Sequence, residues 1–511
     1  LDSLLEELPS NMAKKGKGKK TSSKRHKKSL GEDLRSPVKR SADRGDEMEV
    51  EADIAPAFED RYADDVQEDV QVAADPDLAD LESDEESEEA GFTFGGAAAQ
   101  PAPKKQKKKT KKPKMPFQPE HADAGHSGDL DYNPEFFEMY RTISLPVPSL
   151  SIDIVPDRLG AQTYPIQCTV VTGQQVVADD VSYLPPSSLD IIHMSQLSRT
   201  GLPNEEADEA EFDAEPCIEC KSSTALEGDI FRARCCPAIP GIVAALTNNK
   251  LSIIDVGSVL DENTGRNSGR GVLSQHRLDA GWGMAWGHTR ANMIAVGANN
   301  GQIMSLSVDE NGGGKLHTVG ALPNRAPVED IAFMHQGNKL CAVGGEGTNA
   351  TIFDCRERDA PVLSWRTGHV GDCNCVDIDS QDRHILTGGD GGNVHLWDIR
   401  MLKEGARPLK SYEYHKSSIP CVKFDPLNDN QFGVVCSGGY VSIWNTDVKR
   451  ETEEQPEDLM FLHCNLDEPQ QMEWHPALEG LFFVSHQGGI DVVRPFNLTS
   501  SAESAMEQFK L

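Results

Sequence analysis

The cysteines give the strongest hint of chemistry in this sequence. Cys217-Ile-Glu-Cys220 and Cys235-Cys236 together offer the ligand types of a structural zinc site, which needs two pairs converging on a tetrahedron. The spacing argues against such a site. Residues 230–237 read as a strand, and adjacent strand residues point their side chains to opposite faces. Cys373-Asn-Cys375 reads as a strand carrying both thiols on one face. His369 stands in a patterned context after Gly368, and is assigned to structure rather than to ligation or base catalysis. No Walker-type phosphate loop, serine nucleophile elbow or His-Glu-x-x-His motif occurs. No catalytic residue, metal or cofactor is therefore assigned, and the chain reads as a non-enzyme without a small-molecule substrate.

The elements that hold these residues occupy only part of the chain. Of 511 residues 38% are hydrophobic and 6% aromatic, with a net charge of −32. Such dilution fits a folded region joined to a polar one. Residues 13–40 are basic, and residues 43–89 carry 21 acids against Arg44 and Arg61. A second basic block spans 104–114. Blocks of like charge with few aromatics cannot bury enough apolar surface to offset chain entropy, so residues 1–125 are expected to be disordered. The basic blocks read as a nuclear or nucleolar address, with RNA contact as the next reading. Ser83 and Ser87, each followed by acids, are candidate phosphosites. No apolar run is long enough for a membrane span, and twelve scattered cysteines suit a reducing compartment. From about residue 130 the composition normalises. Asn133 as N-cap and Pro134 at the first helical position, with Phe136, Phe137, Tyr140 and Ile143 at helical spacing, predict an amphipathic helix within 130–147.

Six segments then share one grammar, apolar residues followed by a Gly/Asn turn and an alternating strand. Their closing positions are 255, 307, 354, 398, 445 and 491, at intervals of 52, 47, 44, 47 and 46 residues. That period holds four short strands, one propeller blade. A degenerate unit at 148–198, with strands at 150–155, 167–171 and 191–196, makes seven. The expected fold is all-β: a seven-bladed WD-repeat β-propeller over 148–498, preceded by the short helix and the disordered charged third, with an acidic loop at 448–459. A single four-stranded sheet cannot cover both its faces, so each blade must pack on its neighbours and the ring must close.

The segment Leu386-Thr-Gly-Gly-Asp-Gly-Gly-Asn-Val-His-Leu-Trp-Asp-Ile-Arg400, with Gly281-Trp-Gly-Met-Ala-Trp286, Val328-Glu-Asp-Ile331, Pro148-Ser-Leu-Ser-Ile-Asp-Ile-Val-Pro156 and the acidic stretch from Arg450 to His463, resembles the glutamate-rich WD-repeat proteins. These are dedicated chaperones of a large-subunit ribosomal protein, and the resemblance covers about 130–495. It implies that His369, Thr387 and Trp397 belong to the hydrogen-bonded tetrad of a WD blade. Asp390 sits one place early for the tetrad carboxylate, so the tetrad is expected to be incomplete.

The resemblance also implies a client: a basic large-subunit ribosomal protein, kept soluble and delivered to pre-ribosomal particles in the nucleus and nucleolus. By repeat position Trp282, Glu329, Asp372 and Glu468 would face it across the top of the propeller. Relatives that bind histones suggest a second groove, with Phe136, Phe137 and Tyr140 lying against Leu459, Met460 and Phe461 beside Glu453, Glu454, Glu457 and Asp458. The competing reading is that the leading helix simply seals the last blade. A histone client and docking on a cullin-ligase adaptor through Trp397, Asp398 and Arg400 remain as alternatives.

Overall fold

The computed structural model describes residues 136–156, 163–175, 187–200, 215–257, 271–345, 349–357, 361–448 and 456–498. The charged segment 1–125, the candidate phosphosites Ser83 and Ser87, and Glu453 and Glu454 lie outside the described residues.

The first strand is β1 (Phe137–Ser144), and the chain then builds blade after blade. Blade 1 comprises β2 (Ser149–Ile154), β3 (Ile166–Gln174), β4 (Ser188–Leu197) and β5 (Cys217–Ala225). Blade 2 comprises β6 (Ile230–Cys235), β7 (Ile242–Thr247), β8 (Lys250–Asp255) and β9 (Gly271–Arg277). Blade 3 runs through β10 (Ala280–Trp286), β11 (Met293–Ala298), β12 (Gln302–Ser307) and β13 (His317–Ala321). Blade 4 follows with β14 (Val328–Phe333), β15 (Lys339–Gly344), β16 (Asn349–Asp354) and β17 (Pro361–Arg366). Blade 5 holds β18 (Cys373–Ile378), β19 (His384–Gly389), β20 (Val394–Asp398) and β21 (Lys410–Tyr412). Blade 6 holds β22 (Cys421–Asp425), β23 (Asn428–Cys436), β24 (Tyr440–Asn445) and β25 (Leu459–His463). Blade 7 takes β26 (Gln471–Trp474), β27 (Phe482–His486) and β28 (Gly489–Pro495) from the end of the chain, and its outer strand is β1.

This arrangement overturns the predicted leading helix. Phe137 to Ser144 is a strand, antiparallel to β28 with Tyr140 opposite Val493 and Ile143 opposite Ile490. The helical spacing is real, but strand alternation from Met139 onward, with a β-bulge between Phe137 and Met139, accounts for where the same apolar residues point once a partner edge exists. Met139 and Ile143 enter the cluster facing blade 1, while Phe137 and Tyr140 turn to blade 6. An open edge on β28 is a template for pairing, and it overrides a weak helical preference. The sealing role survives, performed by a strand. The last repeat is also displaced: Asp491 lies inside β28 rather than at its end.

Burial follows strand position. The second strands are buried on both faces, as in β7 and β11, whereas the outermost β5 and β9 are largely exposed. Seven hydrophobic clusters fill the wedges between successive blades, including the closing wedge between blades 7 and 1. At roughly 1.5–3 kcal/mol for each large apolar side chain fully buried, these wedges supply the main cohesion. Cys235 and Cys236 enter different wedges. Cys373 and Cys375 also separate, one toward blade 4 and the other toward blade 6. The expectation of two thiols on one face fails because a β-bulge lies between them, and one extra residue reverses the alternation.

Within blade 5, Thr387 Oγ1 lies 2.9 Å from His369 Nε2 and accepts from Trp397 Nε1 at 3.0 Å. Asp390 turns elsewhere, and the buried Nδ1 of His369 has no hydrogen-bond partner. Burial, with the stacked His395 ring at 4.4 Å, pushes His369 down to about 3, so it is neutral. Blade 6 carries a variant in which Ser442 Oγ lies 2.7 Å from His415 Nε2 and accepts from Trp444 Nε1 at 2.8 Å.

Candidate functional site

The innermost strands line the central channel, and their charges are sorted by depth. At mid-depth the carboxylates stitch neighbouring blades. Asp153 accepts the amide of Cys235 at 2.6 Å, Asp330 that of Val376 at 3.1 Å, and Asp377 that of Phe424 at 2.8 Å. Trp286 and Trp474 add indole bonds to the carbonyls of Arg234 and Lys423. Arg234 and Lys423 sit 3.8 and 3.5 Å from Glu473, and Lys423 is 3.9 Å from Asp377. Gln471 binds Ile152 across the ring closure. Burial acts to lower Lys423, but Glu473 and Asp377 outweigh it and hold the ammonium charged. Each cation at this level lies among carboxylates that also bond the next blade, and the arrangement is structural.

The rim where each innermost strand begins is different. In blades 1 to 5 a register shift interrupts the first step of that strand. The skipped residues include Leu150, Phe231, Trp282, Glu329 and Asn374. A bulge leaves its extra residue out of the ladder and re-aims its side chain, so these five form an arc around this leading rim. Trp282 is 39% exposed and stacks on Phe231 with ring centroids 4.2 Å apart. Gly281 lies against the Val328 carbonyl so closely that a Cβ there would come within 2.4 Å. Trp282 and Glu329 come next on these two strands, so their backbones are neighbours, with the indole leaning on Phe231 of blade 2. Burial and then the charge of Asp372 push Glu329 up to about 7, with Asp330 and Asp390 adding to the effect and Arg232 opposing it. Arg232 itself reaches Asp330 at 3.8 Å. Asp390, displaced from the tetrad, accepts from Asn374 Nδ2 at 2.9 Å, Ser418 Oγ at 3.1 Å and the Asp372 amide at 3.0 Å.

Trp282, Glu329 and Asp372 therefore converge on one rim. Glu468 lies in the loop leading into blade 7 with φ +43°, its carboxylate accepting from Gln487 at 2.6 Å. Phe231, Asn374 and Asp390 join the site without having been singled out for it. The signal for Phe231 was the pair Ile230-Phe231, two apolar residues where strict alternation allows one.

The second predicted groove is partly filled. Phe137 is buried against Phe461 at 5.5 Å and Tyr140, leaving Phe136 exposed at the mouth. Asp458 is buried, accepting from Lys410 Nζ at 2.7 Å and Tyr412 Oη at 2.8 Å, and Glu457 lies 3.2 Å from Lys410. Both acids anchor the turn before β25. At the opposite rim, Arg400 is exposed and forked onto Asp398 at 3.0 and 2.7 Å. Arg356 repeats the arrangement on Asp354.

Comparison with known proteins agrees with the fold. Residues 361–398 match the WD domain, G-beta repeat. The chain is 26% identical over 397 residues to "Ribosome assembly protein rrb1" of Schizosaccharomyces pombe, covering 71% of this chain and 81% of that protein. It is 22% identical over 184 residues to "Methylosome protein WDR77" of Xenopus laevis, covering 35% and 52% respectively. Among solved structures, a chain of the COPII outer coat vertex on membranes superposes with a TM-score of 0.51 at 14% identity. It covers 68% of this chain and 84% of that one, a likeness of fold alone.

Proposed function

We propose that this WD-repeat propeller is a non-catalytic ribosome-assembly factor, a stoichiometric carrier of one newly made basic protein of the large subunit. The resemblance points to protein three of that subunit, handed to pre-60S particles in the nucleus and nucleolus. One observation carries the reading: a rigid ring presents an exposed tryptophan beside crowded carboxylates, in a chain of net charge −32. The similarity over 71% of the chain to a protein named for ribosome assembly supports it.

A ribosomal protein off the ribosome bears an uncovered cationic surface that would bind any RNA. Opposite potential steers such a client in and masks its charge, while an aromatic anchor fixes register. Handover needs no covalent step, since rRNA phosphates compete for the same cations.

The test is affinity purification of the tagged chain from cells blocked in new rRNA synthesis, with mass spectrometry of stoichiometric partners. The reading predicts one large-subunit ribosomal protein at near one-to-one, without mature ribosomes. Core histones or a cullin adaptor as the sole stoichiometric partner would contradict it.

A further inference from the structure

The arc of bulged residues is divided in its chemistry. Phe231 and Trp282, with the buried Leu150, make an apolar and aromatic half, and Glu329 and Asn374, with Asp372 and Asp390 nearby, make a polar acidic half. The halves meet between Trp282 and Glu329, which follow the tight Gly281–Val328 contact on adjacent strands. Every other tryptophan is buried: Trp286, Trp365, Trp397, Trp444 and Trp474 are each at most 8% exposed. With one face stacked on Phe231 and the residue 39% exposed, this indole, on the strand next to that of Glu329, has the form of one wall of a slot for a planar cation.

We propose that the junction of Trp282 and Glu329 is an arginine-selective slot, in which a client guanidinium lies over the indole face and its edge binds the Glu329 carboxylate. This rests on the carrier reading above and adds the chemistry of recognition. A guanidinium is flat, stacks on aromatic faces and is weakly hydrated, whereas an ammonium is a strongly hydrated point charge. Trp is the best partner for such a cation, and a carboxylate can accept two parallel N–H donors from the guanidinium edge.

The surroundings favour an incoming cation. Glu329 faces Asp330 on its own strand, Asp372 and Asp390 from blade 5, and Arg232 from blade 2. Arg232 reaches Asp330 at 3.8 Å and offsets part of the effect on Glu329, whose carboxyl is raised nonetheless. A guanidinium in the slot would restore Glu329 to its charged form, so binding should tighten from pH 6 to pH 8.

The experiment titrates octa-arginine and octa-lysine into the full chain at fixed ionic strength, following tryptophan emission and affinity. Trp282 is the exposed indole, so quenching by peptide reports on the slot. The slot predicts that octa-arginine alone alters the emission and binds about three- to tenfold more tightly than octa-lysine. Trp282→Leu should abolish the preference, and Glu329→Gln should remove the pH dependence while leaving the emission change partly intact. Arg400→Ala, on the opposite rim, should change neither. Equal binding of both peptides with unchanged emission would overturn the slot and leave the carrier reading standing. So would an arginine preference that persists in Trp282→Leu. Binding of neither peptide would overturn both.

Discussion

Two levels of the same channel use the same residue types to opposite ends. At mid-depth Asp153, Asp377 and Glu473 face Arg234 and Lys423, and two of the carboxylates also take a backbone amide from the next blade. A few ångströms along the strands, at the leading rim, Glu329, Asp372 and Asp390 crowd together beside one arginine that is already paired. The inner level sets two cations among its three carboxylates and ties neighbouring blades together. The rim has a single arginine for its crowded acids, and a surface in that state gains from a cationic partner. Position along the strand, more than residue type, separates carboxylates that tie blades together from those proposed to meet a client.

The sharpest way to break the comparison is to remove a cation from the inner level. Lys423→Ala leaves Glu473 and Asp377 buried without their shared partner, and should cost about 3–5 kcal/mol in chemical denaturation. A loss below about 1 kcal/mol would mean that the inner charges are not a structural unit.

Next in size is the blade 5 triad. Thr387→Val strands His369 Nε2 and Trp397 Nε1 in a buried site, and should lower stability by about 1–3 kcal/mol. The histidines also give a pH signature. His369 and His415 are pushed down to about 3 by burial, so the folded state refuses protons that the unfolded chain accepts. Their contribution is complete above about pH 6.5 and lost as pH falls from there toward 3. Melting curves between pH 7 and pH 4 check this, and a flat profile over that range would contradict it.

Glu329 has the reverse sign. Its carboxyl is raised to about 7, so whatever stability its protonated form gives is present below about pH 4.5 and lost as pH rises through 7. Glu329→Gln should raise the melting temperature at pH 8 and leave it unchanged at pH 5. A rise at both pH values would mean that crowding at the rim is not electrostatic. The smallest effect belongs to the exposed Asp398–Arg400 fork: Arg400→Ala should change stability by no more than about 1 kcal/mol and leave client binding intact.

Much of the architecture was legible because it repeats. Gly/Asn turns and alternating strands at a near-constant interval reveal four strands per blade and the need for closure. The strand β1 was not legible as a strand, since its pairing partner β28 lies some 350 residues away and helical spacing fits the same apolar positions. Trp282 and Glu329 could be placed by repeat position. Phe231 left only the weak signal of the apolar pair Ile230-Phe231, and the separation of Cys373 from Cys375 left none, because a bulge shifts alternation by one residue with almost no mark in composition. The fate of Asp458 was hidden for a different reason. A carboxylate in an acidic run looks available until Lys410 and Tyr412 are seen to hold it.

The central claim is that the leading rim, rather than the opposite one, holds the client. Hydrogen–deuterium exchange of the full chain, alone and with the large-subunit ribosomal protein proposed as its client, tests it most directly. Protection is predicted at the starts of β6, β10, β14 and β18, around Phe231, Trp282, Glu329 and Asp372, with the turn at Ile399–Met401 unchanged. Protection confined to that turn, or to the edge between β1 and β25, would contradict the account.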